Sequence, residues 1–424
     1  MVGRVKQTLW IGAGVLVLVV GGVVALAETG RPAPLAHPPK MLQLTDNLNT
    51  SAVGFTAPAG ELLSATTGQV LYANHVLAKR YPASIVKLMT SLIALQLVKK
   101  GQLTMNSIIP VSQSAYQIAL TPGLSVAYLN PTEHITLTRM LEYMYIVSAD
   151  DAAVALADAI GGNETAFARM MNQEAKRLGL SGTHYVNASG LQNPQEYTTV
   201  RDVGILSQHL IEHYPIVLKY ASMRGMYIHP GQYGTSYDQL LGQYQGLDGL
   251  KTGSTSQAGY CFVGTAVRHG ERLISVLMGM KSFPAVFQGT SALLDYGFNQ
   301  WHNTTFQRAG QPINQLVSVP NGSATTLAVA PHKDVVLALP NSGPAKVTYA
   351  LTKTVLRAPV RADQQVGVER IAVNGHEVMQ VPVYAVKQDQ PAGIVAKVWR
   401  SLMTAAHHGA RYLVHLALAR MSHL

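Results

Sequence analysis

A change in the residue pattern near residue 312 constrains the fold of this 424-residue chain more than any other sequence feature. From Phe55 to Asn314, segments typical of strands mix with segments typical of helices. From Val317 to Lys387, short valine-rich runs are separated by turn sequences of the kind that connect antiparallel strands, such as Asn374-Gly375. The chain is therefore expected to form two units, of which the second is a small all-β domain.

Within the first unit, hydrophobic periodicity predicts the individual elements. Spacings of three and four predict helices at Ser84–Lys100, Met140–Ile160, Ala166–Leu178 and Ala292–Trp301. Gly179 follows the third of these and is a helix stop signal. Alternating patterns predict a hairpin within Leu62–Tyr72 and a second one that pairs Gly259–Val267 with Arg272–Met280.

The N-terminus has the pattern of an export signal. Arg4 and Lys6 precede an uncharged, largely apolar run that extends to Ala27 and ends in Ala-Leu-Ala. The run approaches transmembrane length, so residues 1–27 are expected to be either a cleaved signal peptide or a retained anchor. Residues 28–54 are expected to form a linker, and the remaining chain to be exported.

Residues 391–424 predict a cationic amphipathic helix. Apolar residues recur at steps of three and four, four Lys or Arg are present, and Asp and Glu are absent. Such a helix lies in the headgroup plane of an anionic membrane, and packing on the protein's own core or in a dimer is the alternative. The helix carries part of the net charge of +10, and an exported chain without a recognition motif is not expected to bind nucleic acid.

Two short motifs bring reactive groups to the ends of predicted elements. Pro82 favours a helix start, and residues three apart share a helix face, so Lys87 can reach the hydroxyl of Ser84. A lysine activates a serine hydroxyl if burial or nearby positive charge lowers the lysine pKa. Further along, Lys251-Thr252-Gly253 places an ammonium and a hydroxyl ahead of a strand, which suits a substrate carboxylate.

In this order, and with their surroundings, the motifs resemble the serine-type D-alanyl-D-alanine carboxypeptidases, the low-molecular-weight penicillin-binding proteins. The similar stretches, between about Phe55 and Trp301, are YPASIVKLMTSLIAL, VSADDAA, GGNETAFARMMNQEAKRLGLSGTHYVNASGL and GLDGLKTGSTSQAGYCFVGTA. The resemblance implies an α+β catalytic domain over residues 55–312, with an antiparallel sheet flanked by helices as in transpeptidases and β-lactamases. A small β domain over residues 313–390 and a membrane-associating helix over residues 391–424 complete the implied layout.

The resemblance also implies an activity and its location. The terminal D-alanine of peptidoglycan stem pentapeptides would be removed through an acyl-enzyme, at the periplasmic face of the cytoplasmic membrane. Stem peptides and β-lactam antibiotics are the implied partners, and no metal or cofactor is needed. The implied catalytic residues are Ser84 as nucleophile, Lys87 as general base, Ser148 as proton relay and Lys251 as its support. The implied substrate-binding residues are Asp150, Thr252, Gly253, Ser254 and Thr255, with the oxyanion between the backbone N–H groups of Ser84 and Ser254.

The middle motif, Ser148-Ala149-Asp150, departs from the Ser-x-Asn that is usual in this family. An asparagine donates and accepts hydrogen bonds, whereas an ionised aspartate only accepts them. An ionised Asp150 would also hold Lys87 in its charged form and make it a worse base, and a protonated Asp150 would recover a donor. An arginine after the strand that ends at Met278-Gly279 is common in the family, and here Lys281 is the only nearby cation.

Several alternatives stay open. A D,D-endopeptidase or a β-lactamase would share the fold, although a class A β-lactamase needs a deacylating glutamate that no loop convincingly offers. A weakly catalytic peptidoglycan-binding protein would follow if Asp150 impairs the chemistry. The sequence from His209 to His213 spells an inverted zinc-protease motif, for which an ordinary amphipathic helix is the favoured interpretation.

Overall fold

The computed structural model describes residues 46–352, 355–400 and 402. The expected export signal, the first part of the expected linker and nearly all of the C-terminal tail beyond residue 400 lie outside the described residues. Leu48 lies within the expected linker, yet it forms backbone hydrogen bonds with Ala73 of the catalytic domain in both directions. The end of the linker is therefore bound to the sheet.

An antiparallel sheet of five strands, in the order β2-β1-β9-β8-β7, is the centre of the first domain. Its strands are β1 (Ala59–Ser64), β2 (Val70–Asn74), β7 (Leu247–Thr255), β8 (Gly259–Arg268) and β9 (Glu271–Met280). Two small hairpins stand apart from it, β3 (Ile108–Ile109) with β4 (Ile135–Thr136) and β5 (Gly225–His229) with β6 (Gln232–Thr235). Both predicted hairpins are confirmed, since β1 pairs with β2 and β8 with β9.

Eight helices flank the sheets in the described part of this domain: α1 (Lys87–Lys99), α2 (Gln113–Ala119), α3 (Leu137–Ile146), α4 (Asp150–Gly161), α5 (Glu164–Leu178), α6 (Val200–His213), α7 (Ile216–Ala221) and α8 (Phe283–Gln300). The prediction of one helical region over Met140–Ile160 is wrong, because Ser148 has a left-handed φ of 59° and separates α3 from α4. The last helix begins well before Ala292, since Ser282 caps it by accepting a hydrogen bond from Ala285.

The sheet has an apolar core on each face. Leu63 of β1 packs with helix α1 and its neighbours, whereas Leu62 packs with α8 on the opposite face, as alternating strand residues must. Helix α1 is buried along most of its length, between the sheet and α4 to α6. The residue at its start therefore lies between the layers, where a side chain is shielded from water.

The second domain is all-β, as the sequence predicts. Its strands are β10 (Trp301–Gln307), β11 (Leu316–Ser318), β12 (Thr326–Pro331), β13 (Val335–Pro340), β14 (Val347–Leu351), β15 (Gln365–Val373) and β16 (His376–Ala385). Five form a sheet in the order β11-β12-β16-β15-β14, and β10 pairs with β13. Strand β10 lies before the expected boundary at residue 312, yet its partner strand belongs to the β domain. The side chain of Gln69 bonds to both backbone groups of Ala338 and links the two domains.

The described part of the C-terminal segment is helical at residues 394–400 and 402. Its large apolar side chains are exposed, among them Val395 and Trp399. Arg400 donates hydrogen bonds to backbone carbonyls of the β domain, at 2.7 Å to Gly322 and 2.9 Å to Ser323. Within the described residues, no helix combines the length and the apolar character needed to cross a membrane.

Candidate active site

Ser84 lies on a 3-10 turn, Ala83–Val86, that runs directly into helix α1. Ala83 holds a left-handed φ of 49°, a strained conformation for a residue with a side chain. Gly190 passes so close that a Cβ at this position would collide with the carbonyl of Ala83, and it too has a positive φ. The strained turn is therefore held from outside by the segment around Gly190, and it presents Ser84 between the layers.

Lys87 is the first residue of α1 and is almost completely buried. Its Nζ donates three hydrogen bonds, to Ser84 Oγ at 2.8 Å, to Asp150 Oδ1 at 2.6 Å and to the carbonyl of Ser189 at 2.8 Å. Three donors are the full complement of an ammonium group. The predicted contact between Lys87 and Ser84 is thus present, and Asp150 forms a buried ion pair with the same nitrogen.

The break between α3 and α4 brings the middle motif to the same place. Ser148 is buried, and its Oγ accepts a hydrogen bond of 2.9 Å from Nζ of Lys251. Lys251 also donates to the carbonyl of Thr252 at 3.0 Å. Burial, and after it the charge of Lys87, holds the pKa of Lys251 well below its usual range, while Asp150 and Asp238 act in the opposite direction.

Strand β7 brings the remaining predicted residues alongside the nucleophile. A Cβ on Gly253 would lie 3.1 Å from the backbone nitrogen of Ser84, so the absence of a side chain lets the strand pass close to that N–H. Thr252 is buried and Ser254 is exposed. Thr255 donates a hydrogen bond of 2.9 Å to the side chain of Gln192. All the predicted site residues therefore lie at the junction of α1, the α3–α4 break and β7.

Two groups at this junction were not identified from the sequence. One is the segment around Ser189, where the Asn187 side chain accepts hydrogen bonds from the backbone N–H groups of Ser189 and Gly190. Asn-Ala-Ser-Gly is a turn-forming sequence, and this composition was the available signal. The turn places the carbonyl oxygen of Ser189 where it accepts a hydrogen bond from Nζ of Lys87.

The other group is Asp238, in the connection that leads to β7. Its Oδ1 accepts from the N–H of Leu240 at 2.9 Å, while Oδ2 is buried and has no hydrogen-bond partner among the described residues. Burial raises the pKa of Asp238 to about 7, against the opposing effects of backbone N–H groups and of Lys251. Nothing local marks this aspartate in the sequence, because its relation to Lys251 arises only in the folded chain.

The remaining sequence features lie on α6, in β8 and directly after β9. His209 and His213 share helix α6 with ring centroids 4.4 Å apart, and the described residues contain no cluster of three potential metal ligands. Lys281 is exposed at the end of β9. Cys261 is buried in β8, directly opposite Gly253 of β7.

Comparisons with known proteins agree with this architecture. A family model described as D-alanyl-D-alanine carboxypeptidase, Peptidase S11, matches residues 48–282, and one described as penicillin-binding protein 5, C-terminal domain, matches residues 301–390. D-alanyl-D-alanine carboxypeptidase DacC of Escherichia coli is 28% identical over 83% of this chain and 88% of its own length. DacF of Bacillus subtilis is 27% identical over 87% of this chain and 95% of its own length.

Solved structures show the same likeness. Penicillin-binding protein 5 from Haemophilus influenzae has a TM-score of 0.71 at 27% identity, over 79% of this chain and 98% of that one. Penicillin-binding protein D2 from Listeria monocytogenes, in its ampicillin-bound form, has a TM-score of 0.52 at 33% identity. The match covers 57% of this chain and 97% of that one. Because the Peptidase S11 model spans more than half of the chain, the protein belongs to the D-alanyl-D-alanine carboxypeptidase family.

Proposed function

We propose that this protein is a serine D,D-carboxypeptidase that removes the terminal D-alanine from peptidoglycan stem pentapeptides. The observation that carries the proposal is the contact of 2.8 Å between Nζ of the buried Lys87 and Ser84 Oγ, beside a second buried lysine that bonds to Ser148. Family membership adds that relatives of this chain are named as D-alanyl-D-alanine carboxypeptidases.

In the proposed acylation step, neutral Lys87 takes the proton of Ser84 while Oγ attacks the carbonyl carbon of the penultimate D-alanine. The carbonyl oxygen becomes an oxyanion, for which the backbone N–H groups of Ser84 and Ser254 are the proposed donors. The proximity of Gly253 to the Ser84 nitrogen supports this assignment, because it places β7, which carries Ser254, beside the backbone N–H of Ser84.

Collapse of the tetrahedral species breaks the peptide bond, and the leaving amine requires a proton. We assign that proton to the hydroxyl of Ser148, which Lys251 contacts at 2.9 Å and can resupply. The lowered pKa of Lys251 supports this role, since a lysine whose pKa lies below its usual range gives up a proton more readily. Thr252 and Thr255 are the proposed hydroxyl partners of the substrate carboxylate. Water then attacks the acyl carbon: Ser84 Oγ leaves and regains the proton held by Lys87, and the proton released by the water returns to Lys251.

Release of free D-alanine from a soluble pentapeptide that ends in D-Ala-D-Ala tests the proposed function. Folded protein that releases none would contradict it and would favour the second candidate, a weakly catalytic peptidoglycan-binding protein. The observation behind that candidate is the Asp150–Lys87 ion pair of 2.6 Å, because a buried carboxylate stabilises the ammonium form of the proposed base. The lifetime of a penicilloyl adduct separates a carboxypeptidase, at minutes or longer, from a β-lactamase.

Asp150→Asn is expected to keep or raise the rate of acylation by penicillin. The amide still accepts a hydrogen bond from Lys87, gains a donor for the substrate carbonyl, and no longer stabilises the ammonium form of Lys87. The rate of adduct formation with a fluorescent penicillin measures the effect, with Asp150→Ala as the variant that loses both hydrogen-bonding functions. A clear loss of acylation in Asp150→Asn would show that the carboxylate has a role of its own.

The tail is proposed to hold the protein on the anionic periplasmic face of the cytoplasmic membrane. Exposure of Val395 and Trp399, together with the acid-free, basic composition of residues 391–424, supports this proposal. Exported protein that lacks residues 391–424, and from which the N-terminal 27 residues have been cleaved, is expected to appear in the soluble fraction, whereas cleaved protein that keeps residues 391–424 stays with the membrane. Membrane association of the doubly truncated protein would contradict the anchoring role.

A further inference from the structure

Four exposed tyrosines border the middle motif: Tyr128, Tyr227, Tyr233 and Tyr237, with exposures of 54%, 64%, 56% and 44%. They belong to two segments, the loop at residues 121–130 and the β5–β6 hairpin with the residues that follow it. Aromatic side chains grouped on a surface mark binding sites more often than single exposed apolar residues do. We call these four residues the tyrosine surface.

The hairpin presents two of the rings as a pair. Met226 and Ile228 face inward and are buried, so Tyr227 between them points outward. Tyr227 and Tyr233 lie opposite each other across the two strands, and their ring centroids are 5.0 Å apart in an edge-to-face arrangement. The inner face of the hairpin therefore supports a rigid aromatic pair on the outer face.

The backbone conformation of its own loop keeps Tyr128 exposed. Its φ is 56°, a left-handed conformation that is rare for a bulky residue. The residues on both sides are clamped, because the N–H groups of Ala127 and Leu129 donate to the buried carboxylate of Asp151 at 3.0 Å. Backbone strain that is held in place in this way is characteristic of functional segments.

Both segments are tied to each other and to the catalytic centre. A ring nitrogen of His229 in the hairpin lies 3.0 Å from the carbonyl oxygen of Ala127 in the loop. The carbonyl of Ser125 accepts from the N–H of Asp150 at 2.6 Å, and the Ser125 hydroxyl lies 3.4 Å from that of Tyr237. Gly234 packs on Val147, the residue before Ser148. The tyrosine surface is therefore continuous with the middle motif.

The chemistry of the surface favours a neutral ligand rich in hydroxyl groups. From Gly225 to Gly246 the only Asp, Glu, Lys or Arg is Asp238, whereas tyrosine, glutamine, serine and threonine are abundant. An anionic lipid or polymer would require several basic side chains; here Arg224 directly precedes the hairpin, and Arg139, which donates to the Tyr227 carbonyl, is already paired with Glu142. Tyrosine combines a flat apolar ring, which can stack on the C–H face of a sugar, with a hydroxyl that bonds to polar groups.

We propose that the tyrosine surface binds the glycan strand to which the stem peptide is attached. The inference rests on the proposed function, because a peptide held at Ser84 brings its own glycan to the neighbouring surface. Binding to the sugars would favour polymeric substrate over free peptide, and it would do so without altering the chemistry at Ser84.

The test compares two substrates in a Tyr227→Ala/Tyr233→Ala double variant. On a free pentapeptide, kcat/KM is expected to stay within about twofold of wild type, since neither ring is part of the proposed catalytic machinery. On isolated sacculi rich in pentapeptide, a loss of about tenfold in the initial rate is expected, the size that one lost aromatic contact produces. The Tyr227→Phe/Tyr233→Phe variant keeps the rings and should recover most of this rate. Leu316→Ala, at an equally exposed residue of the β domain, is the matched control.

A binding measurement keeps this inference separable from the activity. With Ser84→Ala as background, co-sedimentation with glycan strands stripped of their peptides should be weakened by Tyr227→Ala/Tyr233→Ala and unaffected by Leu316→Ala. Equal binding with and without the two tyrosines would overturn the proposal, as would equal losses on free peptide and sacculi. Wild-type protein that releases no D-alanine from free pentapeptide would instead contradict the proposed function, while the co-sedimentation result would still decide the glycan site.

Discussion

Ser84→Ala is expected to abolish the covalent adduct with penicillin and to lower D-alanine release from pentapeptide by at least about 10³-fold. The hydroxyl of Ser84 is the group that Lys87 contacts at 2.8 Å, and removal of a nucleophile leaves only binding and oxyanion stabilisation to accelerate the reaction. Mass spectrometry of intact protein after incubation with a labelled penicillin detects the adduct, and peptide mapping identifies the modified residue.

Ser222→Ala is the matched control for this experiment. Ser222 is exposed at the end of α7, and its hydroxyl donates to the carbonyl of Lys219, so the adduct yield and D-alanine release of this variant should equal those of wild type. An adduct of normal yield in Ser84→Ala, mapped to another residue, would contradict the assignment of the nucleophile and the mechanism that depends on it.

Lys87→Met is expected to reduce both activity and stability. The acylation rate should fall by at least about 10³-fold, because methionine cannot accept the proton of Ser84. The free energy of unfolding should fall by about 3–5 kcal/mol, because the buried carboxylate of Asp150 loses its ionic partner. Acylation by fluorescent penicillin and chemical denaturation measure the two effects separately.

Adding Asp150→Asn to Lys87→Met distinguishes the two losses. The double variant no longer buries an unpaired charge, so it should regain much of the lost stability while it remains unable to acylate. If the double variant were as unstable as Lys87→Met, the ion pair would not be the source of the loss. If it regained acylation, Lys87 would not be the base.

Local spacing explains why half of the site could be predicted directly. Ser84 and Lys87 are three residues apart at a helix start, and the geometry of a single turn brings their side chains into contact. The contact between Ser148 and Lys251 joins residues that are far apart in the chain, and only the family resemblance implied it. The hairpin of β8 and β9 was likewise predictable, because its turn is local.

Groups whose environment arises from tertiary packing could not be predicted. Asp238 has no local sequence signal, because the burial of its Oδ2, which has no hydrogen-bond partner among the described residues, depends on a loop that folds back toward Lys251. Apolar spacing continues through Ser148 and predicts a continuous helix there, because a left-handed φ at a serine has no sequence signal. Apolar spacing from Ala292 likewise predicts too late a start for α8, since a serine can be recognised as a cap only beside the helix that it caps.

The strand order of the central sheet has a consequence for when the enzyme becomes reactive during synthesis. Strand β1 pairs with β9, where Leu62 lies opposite Ser275, so the sheet cannot close until more than half of the chain has been made. Contacts so distant in sequence form late in folding. The N-terminal part of the chain carries Ser84 and Lys87, but without β7 it lacks Lys251 and the strand beside the Ser84 nitrogen. A nascent chain therefore holds its nucleophile in an incomplete site, and acylation begins only when the domain is whole.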